Sequence, residues 1–389
     1  MHLFFVDQYI SLDMMAPIIH KLSKKNKVFL CNFNKIQSLK KIELYKFIID
    51  QKNVSEVRDV IKFFSKENFY LVLINLLLLL PAPILKKGYR YWKYIWENVN
   101  FVSRDLLIKF IKNNRIKTFS YDESLVEDKK KFIISISKEL NIPLIMNHGG
   151  LYTLKTSKKK NVKFQECDFF LSPNKYPIYA HKLDKTYLRS GKYHQLGSPR
   201  FDNEWLNVLE KIHNRSKIIN RKKIKIAFFV RPTSISYSET LNLLKNLDKI
   251  ENIEVKLNYK PRDVWPTKCS SISKSEMQSS ELIFWSDLVI SYASSIILEG
   301  ICRNKPLIYL DYLQIHKKND TSWFDDFECI KKAKNSKHVI KLIMGFKKNR
   351  NKLNISKSNK KIILKNFITH KSGKGILSKY NSFYNSLNS

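Results

Sequence analysis

The residues best suited to chemistry lie within 287–311, a segment whose pattern predicts a buried strand, a turn, a helix and a second strand. Ser294 and Ser295 occupy the turn, where unpaired N–H groups and the positive end of a helix dipole favour a phosphate. Glu299 follows Ser295 by one helical turn, so its carboxylate can face the same ligand and accept from ribose hydroxyls. The segment therefore predicts a nucleotide site, although an ordinary strand–helix–strand unit with a Ser N-cap has the same pattern.

Cationic and hydroxyl side chains also follow two other predicted strands of the second half. They are Arg231, Thr233 and Ser234 after the strand at 226–230, and Lys260 and Arg262 after the strand at 253–259. Ligands of open parallel sheets collect beyond the carboxyl ends of the strands. Arg offers a bidentate fork to a phosphate and Ser or Thr a hydroxyl. Together with the Ser294 turn, these turns predict a pyrophosphate cradle.

The catalytic candidates lie in the first half. His148 follows a predicted strand at 143–146 and precedes two glycines, which let a substrate come close to the backbone. A histidine titrates near neutrality and so suits a general base, although a capping or core histidine is the alternative. Asp122 follows the predicted strand at 117–121 and is the second candidate.

Composition limits the classes of partner. The chain has 389 residues with 71 Lys or Arg against 34 Asp or Glu, a net charge of +37, which implies nucleotide phosphates, anionic lipid, an acidic glycan or nucleic acid. A hydrophobic content of 43% excludes wholesale disorder.

The five cysteines are scattered without a CxxC motif, which argues against a zinc site and a disulfide framework and fits a reduced, cytoplasmic compartment. The first residues lack the pattern of a signal peptide.

Two neighbouring segments raise the question of a membrane. Residues 69–85 are mostly apolar, but Asn75 interrupts them and two prolines end them, so the run is shorter than the ~20 residues of a spanning helix. Residues 86–96 mix aromatic and cationic side chains, as an amphipathic helix on anionic headgroups does. The alternative is a buried helix followed by an exposed one.

The alternation of short apolar runs with helical patterns predicts an α/β fold of two Rossmann-like domains facing a central cleft. We expect an acceptor domain at 1–214, a nucleotide-donor domain at 215–350 and a basic helical tail at 351–389 that packs back on the first domain. Within this scheme residues 55–64 are predicted as helix. The tail is predicted to contain one apolar helix, at 362–368.

Four motifs carry a family resemblance. They are His148-Gly149, the sequence Gly-Ser-Pro-Arg-Phe-Asp at 197–202, the basic turn at 260–262, and the Ser-Ser…Glu…Lys-Pro block at 294–306. With the two α/β halves, this pattern resembles the GT-B glycosyltransferases of bacterial surface polysaccharides. That group includes capsule and lipopolysaccharide glycosyltransferases and the CDP-glycerol glycerophosphotransferases. The resemblance covers residues 117–312.

The resemblance implies a nucleotide-activated donor in the second half. Ser294 and Ser295 would hold its phosphates and Glu299 its ribose, while Arg231, Lys260 and Arg262 would offset the charge of the leaving group. His148 would deprotonate an acceptor hydroxyl, and no metal or other cofactor would be needed. The basic turn reads Tyr-Lys-Pro-Arg where relatives often have a histidine, so Lys260 would have to substitute for it.

The leading hypothesis is therefore a cytoplasmic enzyme, peripheral at the inner face of the membrane, that transfers a sugar to a growing polysaccharide. Transfer of glycerol phosphate from a CDP donor is the alternative within the fold. A UDP-sugar 2-epimerase ranks lower because carboxylate pairs are not evident in both halves. A basic nucleic-acid-binding protein is the alternative of another class, but no RRM, KH, helix-turn-helix or zinc-finger motif is present.

Overall fold

A computed structural model gives the structure of the protein for residues 1–33, 42–57, 104–147, 167–174, 188–213, 223–230, 237–259, 272, 274–292, 294–313, 327–368 and 375–387. Two parallel sheets organise these residues. Within this part of the chain, no helix is both long and apolar enough to cross a membrane. The segments 69–85 and 86–96 lie outside the described residues.

The first sheet has seven strands. Their bounds are β1 His2–Val6, β2 Val28–Asn32, β3 Val54–Glu56, β4 Thr118–Asp122, β5 Leu144–Asn147, β6 Cys167–Ser172 and β7 Leu188–Gln195. The order across the sheet is β3-β2-β1-β4-β5-β6-β7 and every described pairing is parallel. The direction in which the strands are added reverses between β1 and β4, so this sheet has its topological switch point there.

The second sheet has five parallel strands. They are β8 Ile224–Phe229, β9 Ile253–Asn258, β10 Leu288–Ser291, β11 Leu307–Tyr309 and β12 Lys331–Lys332, in the order β12-β11-β10-β8-β9. Its switch point lies between β8 and β10, which pair directly. The predicted strands at 226–230, 253–259, 288–291 and 307–310 are thereby confirmed to within about two residues.

Helices cover both faces of both sheets. The first sheet is accompanied by α1 Tyr9–Ser23, α2 Glu43–Ile49, α3 Arg104–Asn113, α4 Glu127–Leu140 and α5 Asn203–His213, and the second by α6 Tyr237–Asp248, α7 Ser279–Trp285, α8 Ser295–Cys302 and α9 Ser336–Lys348. Two further helices follow, α10 Lys357–Ile368 and α11 Ile376–Ser386. The central strands β1, β2 and β10 are buried along their whole length and are mostly apolar, whereas the edge strand β9 alternates apolar with polar residues and is only partly buried.

The end of the chain crosses from one core to the other. Ile363 and Phe367 of α10 pack in the core of the second sheet, whereas Leu377 and Tyr380 of α11 pack in the core of the first. Ile368 before the crossing and Ile376 after it both lie against Gly197, which has a φ of +100°. A Cβ there would lie 3.1 Å from the carbonyl oxygen of Ile368, so this position needs glycine both for its backbone conformation and for the close approach.

Two expectations about secondary structure are wrong. Ser55 and Glu56, where the helix expected at 55–64 would begin, belong to the edge strand β3, because Val28, Phe29 and Leu30 of β2 offer a parallel partner. Residues 58–64 of that expected helix lie outside the described residues. The tail contains not one helix but two, since α11 follows α10. The buried residues of α11 do recur at helical spacing, but the Ser, Asn and Lys residues between them give the stretch the polar composition expected of an irregular tail.

Candidate functional site

The turn after β10 lies at the switch point of the second sheet. Ser294 has extended backbone angles, and its hydroxyl accepts from the N–H of Ile296 at 3.5 Å, so it is the N-cap of α8. Ser294 and Ser295 are half-buried, so neither is sealed inside the core. The helix N-terminus therefore presents backbone donors and two hydroxyl residues beside the crevice where ligands of such sheets bind.

Glu299 lies one turn along α8 from Ser295, and its side chain is held by a neighbour. Nε of Arg303 donates to Oε1 of Glu299 at 3.2 Å, and both side chains are buried. The guanidinium of Arg303 also lies over the ring of Phe284, 5.9 Å from its centroid. Arg303 thus fixes the direction of the carboxylate that the sequence proposes as a ribose acceptor.

A second, largely buried ion pair lies on the first domain, near the charge of Glu299. Nη2 of Arg200 lies 2.5 Å from Oδ2 of Asp13 on α1. Burial raises the pKa of Asp13 to about 6; Arg200 opposes that rise and the negative charge of Glu299 adds to it. Within the described residues, Nε of Arg200 and Nη2 of Arg303 are both buried without a hydrogen-bond partner. Each of these guanidinium groups therefore has a buried N–H donor that no described residue accepts.

Asp122 ends β4 at the switch point of the first sheet, and it is fully buried. Its Oδ1 accepts from the N–H of Ser124 at 2.5 Å, while Oδ2 has no hydrogen-bond partner among the described residues. Burial raises the pKa of Asp122, and the nearby charge of Asp7 adds to the rise, although hydrogen bonds from Ser124 and Ser11 oppose it. Asp7 follows β1 and accepts from Ser11 at 3.0 Å. Two carboxyl groups thus stand at the edge that faces the cleft.

Asn147 pairs in register with Asp122 and links this edge to the last helix. Nδ2 of Asn147 donates to the hydroxyl of Tyr384 at 3.5 Å, and that hydroxyl lies 2.7 Å from Oγ of Ser120. All three side chains are buried. Asn147 immediately precedes His148 in the sequence, so α11 supports the strand end from which the candidate base continues.

The sequence did not indicate Asp13, Arg200 or Tyr384 as members of the site. Arg200 lies in the Gly-Ser-Pro-Arg-Phe-Asp motif, but the motif alone assigns no role to its arginine. Asp202 of the same motif accepts from the N–H groups of Glu204 and Leu377, and so caps the starts of two helices. An acidic residue within the apolar helix α1 was the available signal for Asp13.

Several predicted site residues lie outside the described residues. They are His148, Arg231, Thr233, Ser234, Lys260 and Arg262. The boundary at 214/215 also falls in such a segment, and the division into domains stays a prediction. The structure places Asp122 at the edge of the first sheet and brings Ser294, Ser295 and Glu299 together at the second.

No metal-binding group of three His, Cys, Asp or Glu side chains occurs within the described segments. Cys31, Cys167, Cys302 and Cys329 are free thiols, and Cys31 and Cys167 are fully buried. Burial raises the pKa of both Cys31 and Cys302 to about 12, so these thiols stay protonated at neutral pH.

Solved structures with the same architecture bind nucleotides. The chain is similar to the UDP-GlcNAc 2-epimerase of Neisseria meningitidis bound to UDP-GlcNAc (TM-score 0.57, 12% identity, 99% of this chain and 100% of that chain). It is also similar to S. aureus MnaA with UDP (0.53, 11%, 99% and 97%) and to the wall teichoic acid polymerase TagF soaked with CDPG (0.54, 14%, 100% and 88%). No family model and no curated protein sequence matches the chain. The similarity shows the fold: two Rossmann-like domains facing a central cleft, as in GT-B proteins.

Proposed function

We propose that the protein is a metal-independent glycosyltransferase that moves a sugar from a nucleotide-activated donor to a growing cell-surface polysaccharide. The observation that carries the proposal is the position of Ser294 and Ser295. They start α8 at the switch point of the second sheet, beside the cleft of a fold whose solved relatives include complexes with UDP and UDP-GlcNAc.

The donor would bind in the second domain. Backbone N–H groups at the start of α8 and the hydroxyls of Ser294 and Ser295 would contact its phosphates. Glu299, whose Oε1 is held by Arg303, would offer its other oxygen to the ribose. Arg231, Thr233, Ser234, Lys260 and Arg262 would complete the cradle, and their positive charges would stabilise the diphosphate as it leaves.

The acceptor would bind in the first domain. Its hydroxyl would pass its proton to His148 while its oxygen bonds to the sugar carbon, and the electrons of the breaking sugar–phosphate bond would leave with the nucleotide. Asp122 lies at the same edge, and burial raises its pKa, which suits a carboxyl group that holds and returns a proton. No metal ion is required in this scheme, because the helix dipole and the cations offset the developing charge.

Donor binding and turnover are separable tests. A panel of CMP-, UDP-, GDP- and CDP-linked donors with product analysis by mass spectrometry identifies the group transferred. Ser295→Ala with Glu299→Ala should abolish the thermal stabilisation that nucleotides give, whereas Ser378→Ala, an exposed serine on α11, should leave it intact. His148→Ala should remove turnover and keep donor binding. Unchanged nucleotide affinity in the double variant would contradict the donor site.

Transfer of glycerol phosphate from a CDP-linked donor is the alternative within this proposal. It needs the same phosphate cradle and the same base, and the similarity to TagF in a CDPG soak supports testing it. Incorporation of glycerol phosphate, with release of CMP rather than a nucleoside diphosphate, would establish this alternative.

A second candidate is a 2-epimerase acting on a nucleotide sugar. The observation that favours it is the approach of Asp7 and Asp122 at the edge of the first sheet, because moving a proton to and from a carbon needs paired acid and base groups. An epimerase would convert UDP-GlcNAc without any acceptor and would exchange a carbon-bound hydrogen with deuterium from the solvent. A transferase would release nucleotide only as the acceptor is modified.

We place this enzyme in the cytoplasm, peripheral at the inner face of the membrane, where a lipid-linked acceptor would be available. The net charge of +37 supports that location, because donor, acceptor and inner-leaflet lipid are all anionic.

A further inference from the structure

The charge of the chain is not evenly distributed. After Glu328 there is no Asp or Glu, whereas sixteen Lys or Arg residues follow, and all but Arg350 are lysines. A segment of one sign folded on the surface produces a positive field that neighbouring carboxylates of the same segment cannot cancel. The fold gathers several of these lysines on one face of a helix.

That helix is α9. Lys337, Lys341, Met344 and Lys348 are spaced by three or four residues and are all exposed, so they form one stripe along the helix. The buried residues Val339, Ile343 and Phe346 lie on the opposite side and pack in the core of the second sheet. Helix α9 is therefore fixed in the domain with its cationic side outward.

Lys352 widens this stripe. Its Cδ and Nζ lie 3.0 Å from the position that a Cβ on Gly345 would take, so its side chain crosses α9 beside Met344. The four lysines of the stripe form no ion pair with any residue of the described segments. We name Lys337, Lys341, Met344, Lys348 and Lys352 the α9 stripe. Its helix is about 20 Å long, as 13 residues of α-helix require.

The side chains of the stripe favour lipid headgroups over nucleic acid. The ammonium group of lysine is a strongly hydrated point charge, which suits the diffuse negative charge of lipid headgroups. Specific recognition of phosphates and bases in nucleic acids favours arginine, whose planar guanidinium donates two parallel hydrogen bonds. The large apolar side chains exposed among the described residues are aliphatic (Met1, Ile10, Val126, Met344 and Ile362), so this surface has no aromatic platform for base stacking. Met344, 39% exposed, can enter the headgroup region between the lysines.

We propose that the α9 stripe is the surface by which the protein lies on an anionic lipid bilayer. Lys347 of the same helix donates to the carbonyl of Glu251, just before β9, which places the end of α9 at the amino edge of the second sheet. The start of α9, at Ser336, lies beside Tyr312 after β11, so the helix runs alongside the strands from one edge of the sheet to the other. A bilayer that contacts the side of this helix would leave the cleft, at the carboxyl edge of the strands, accessible to substrates. The proposal deepens the proposed function by naming its lipid-facing surface, but the lysine geometry itself does not depend on it.

Vesicle flotation with the full chain tests the proposal. The probes are vesicles of phosphatidylcholine alone and vesicles with about one third phosphatidylglycerol, at an ionic strength of about 0.1 M. The stripe variant carries Lys337→Gln, Lys341→Gln, Lys348→Gln and Lys352→Gln. A control variant of equal charge carries Lys25→Gln, Lys52→Gln, Lys109→Gln and Lys112→Gln, four exposed lysines of the first domain.

We expect the wild-type chain and the control variant to float with the anionic vesicles, and the stripe variant to bind them at least about tenfold more weakly. Met344→Ser should weaken the binding that persists at high salt. Equal losses in the two lysine variants, equal binding to neutral vesicles, or preferential binding to a single-stranded oligonucleotide in competition would overturn the proposal. Binding of UDP and CDP, measured without vesicles, tests the donor site alone. A failure of the lipid-binding proposal can therefore be distinguished from a failure of the proposed function.

Discussion

Nη2 of Arg200 lies 2.5 Å from Oδ2 of Asp13, in a largely buried ion pair of the first domain whose charges interact with Glu299. Arg200 belongs to the Gly-Ser-Pro-Arg-Phe-Asp motif and Asp13 to the first helix, so the pair joins the end of the first domain to its beginning. It balances charges in the first domain as Arg303 and Glu299 do in the second.

Loss of Arg200 should strongly destabilise the fold. Arg200→Ala leaves the carboxylate of Asp13 buried without its partner, for which we expect a cost of about 3 kcal/mol in the free energy of unfolding. Arg104→Ala is the matched control, because Arg104 pairs with Glu139 on the exposed surface and its loss should cost less than about 1 kcal/mol. Urea unfolding of both variants measures the difference, and equal costs would contradict the role given to the buried pair.

The pH dependence of stability should report on Asp13. Because its pKa rises from 3.8 to about 6 on folding, the folded chain holds this proton more tightly than the unfolded chain. The stabilisation from that proton is complete below pH 3.8 and is lost as the pH rises through about 6. The free energy of unfolding of wild type minus that of Asp13→Asn should therefore fall between these values. A constant difference would show that Asp13 does not titrate in this range.

The hydroxyl of Tyr384 should matter more than that of Tyr380, one turn earlier on α11. Tyr384→Phe leaves Ser120 and Asn147 without this partner, for which we expect about 1–3 kcal/mol of destabilisation and a lower turnover. Tyr380→Phe removes a hydroxyl that donates to the carbonyl of Gly197 at 3.1 Å, away from the strand end before His148. Stability and turnover of the two variants are compared; an equal fall in turnover would contradict a specific role for Tyr384.

Gly197 and Gly375 offer a direct comparison of backbone strain. Both have positive φ, but a Cβ on Gly197 would meet Ile376 at 3.0 Å and the Ile368 carbonyl at 3.1 Å, whereas nothing lies within 4 Å of one on Gly375. We expect Gly197→Ala to cost more than about 2 kcal/mol and Gly375→Ala about 1 kcal/mol. Denaturant unfolding measures both, and a reversed order would show that the chain crossing is not tight.

The fold could be predicted from the sequence because its central strands are buried on both faces. Runs such as Leu288–Ser291 are continuous and apolar, and their polar successors mark the carboxyl edge where Asp122 and Ser294 are found. The edge strand β3 escaped prediction because only three residues, Val-Ser-Glu, form it, and its pairing with β2 decides its conformation.

The contacts that complete the site could not be predicted in this way. Ser120 and Tyr384 are 264 residues apart, and no local pattern links a strand to a helix over that distance. The ion pair of Glu299 with Arg303 is an i,i+4 contact that the spacing allows, but its burial depends on the packing of α8. Local pattern thus indicates which residues reach the cleft, and tertiary packing decides how they are held there.

The most direct test of the account is calorimetric titration of UDP and CDP into the wild-type chain and into Ser294→Ala with Ser295→Ala. The account predicts that the wild type binds at least one of them and that the variant binds it at least about tenfold more weakly, because two hydroxyl contacts to a charged group are lost. The variant should stay folded with a cooperative unfolding transition, although removing the N-cap hydroxyl of Ser294 should cost about 1 kcal/mol of stability. Unchanged affinity in a folded variant would contradict the placement of the donor phosphates at the start of α8.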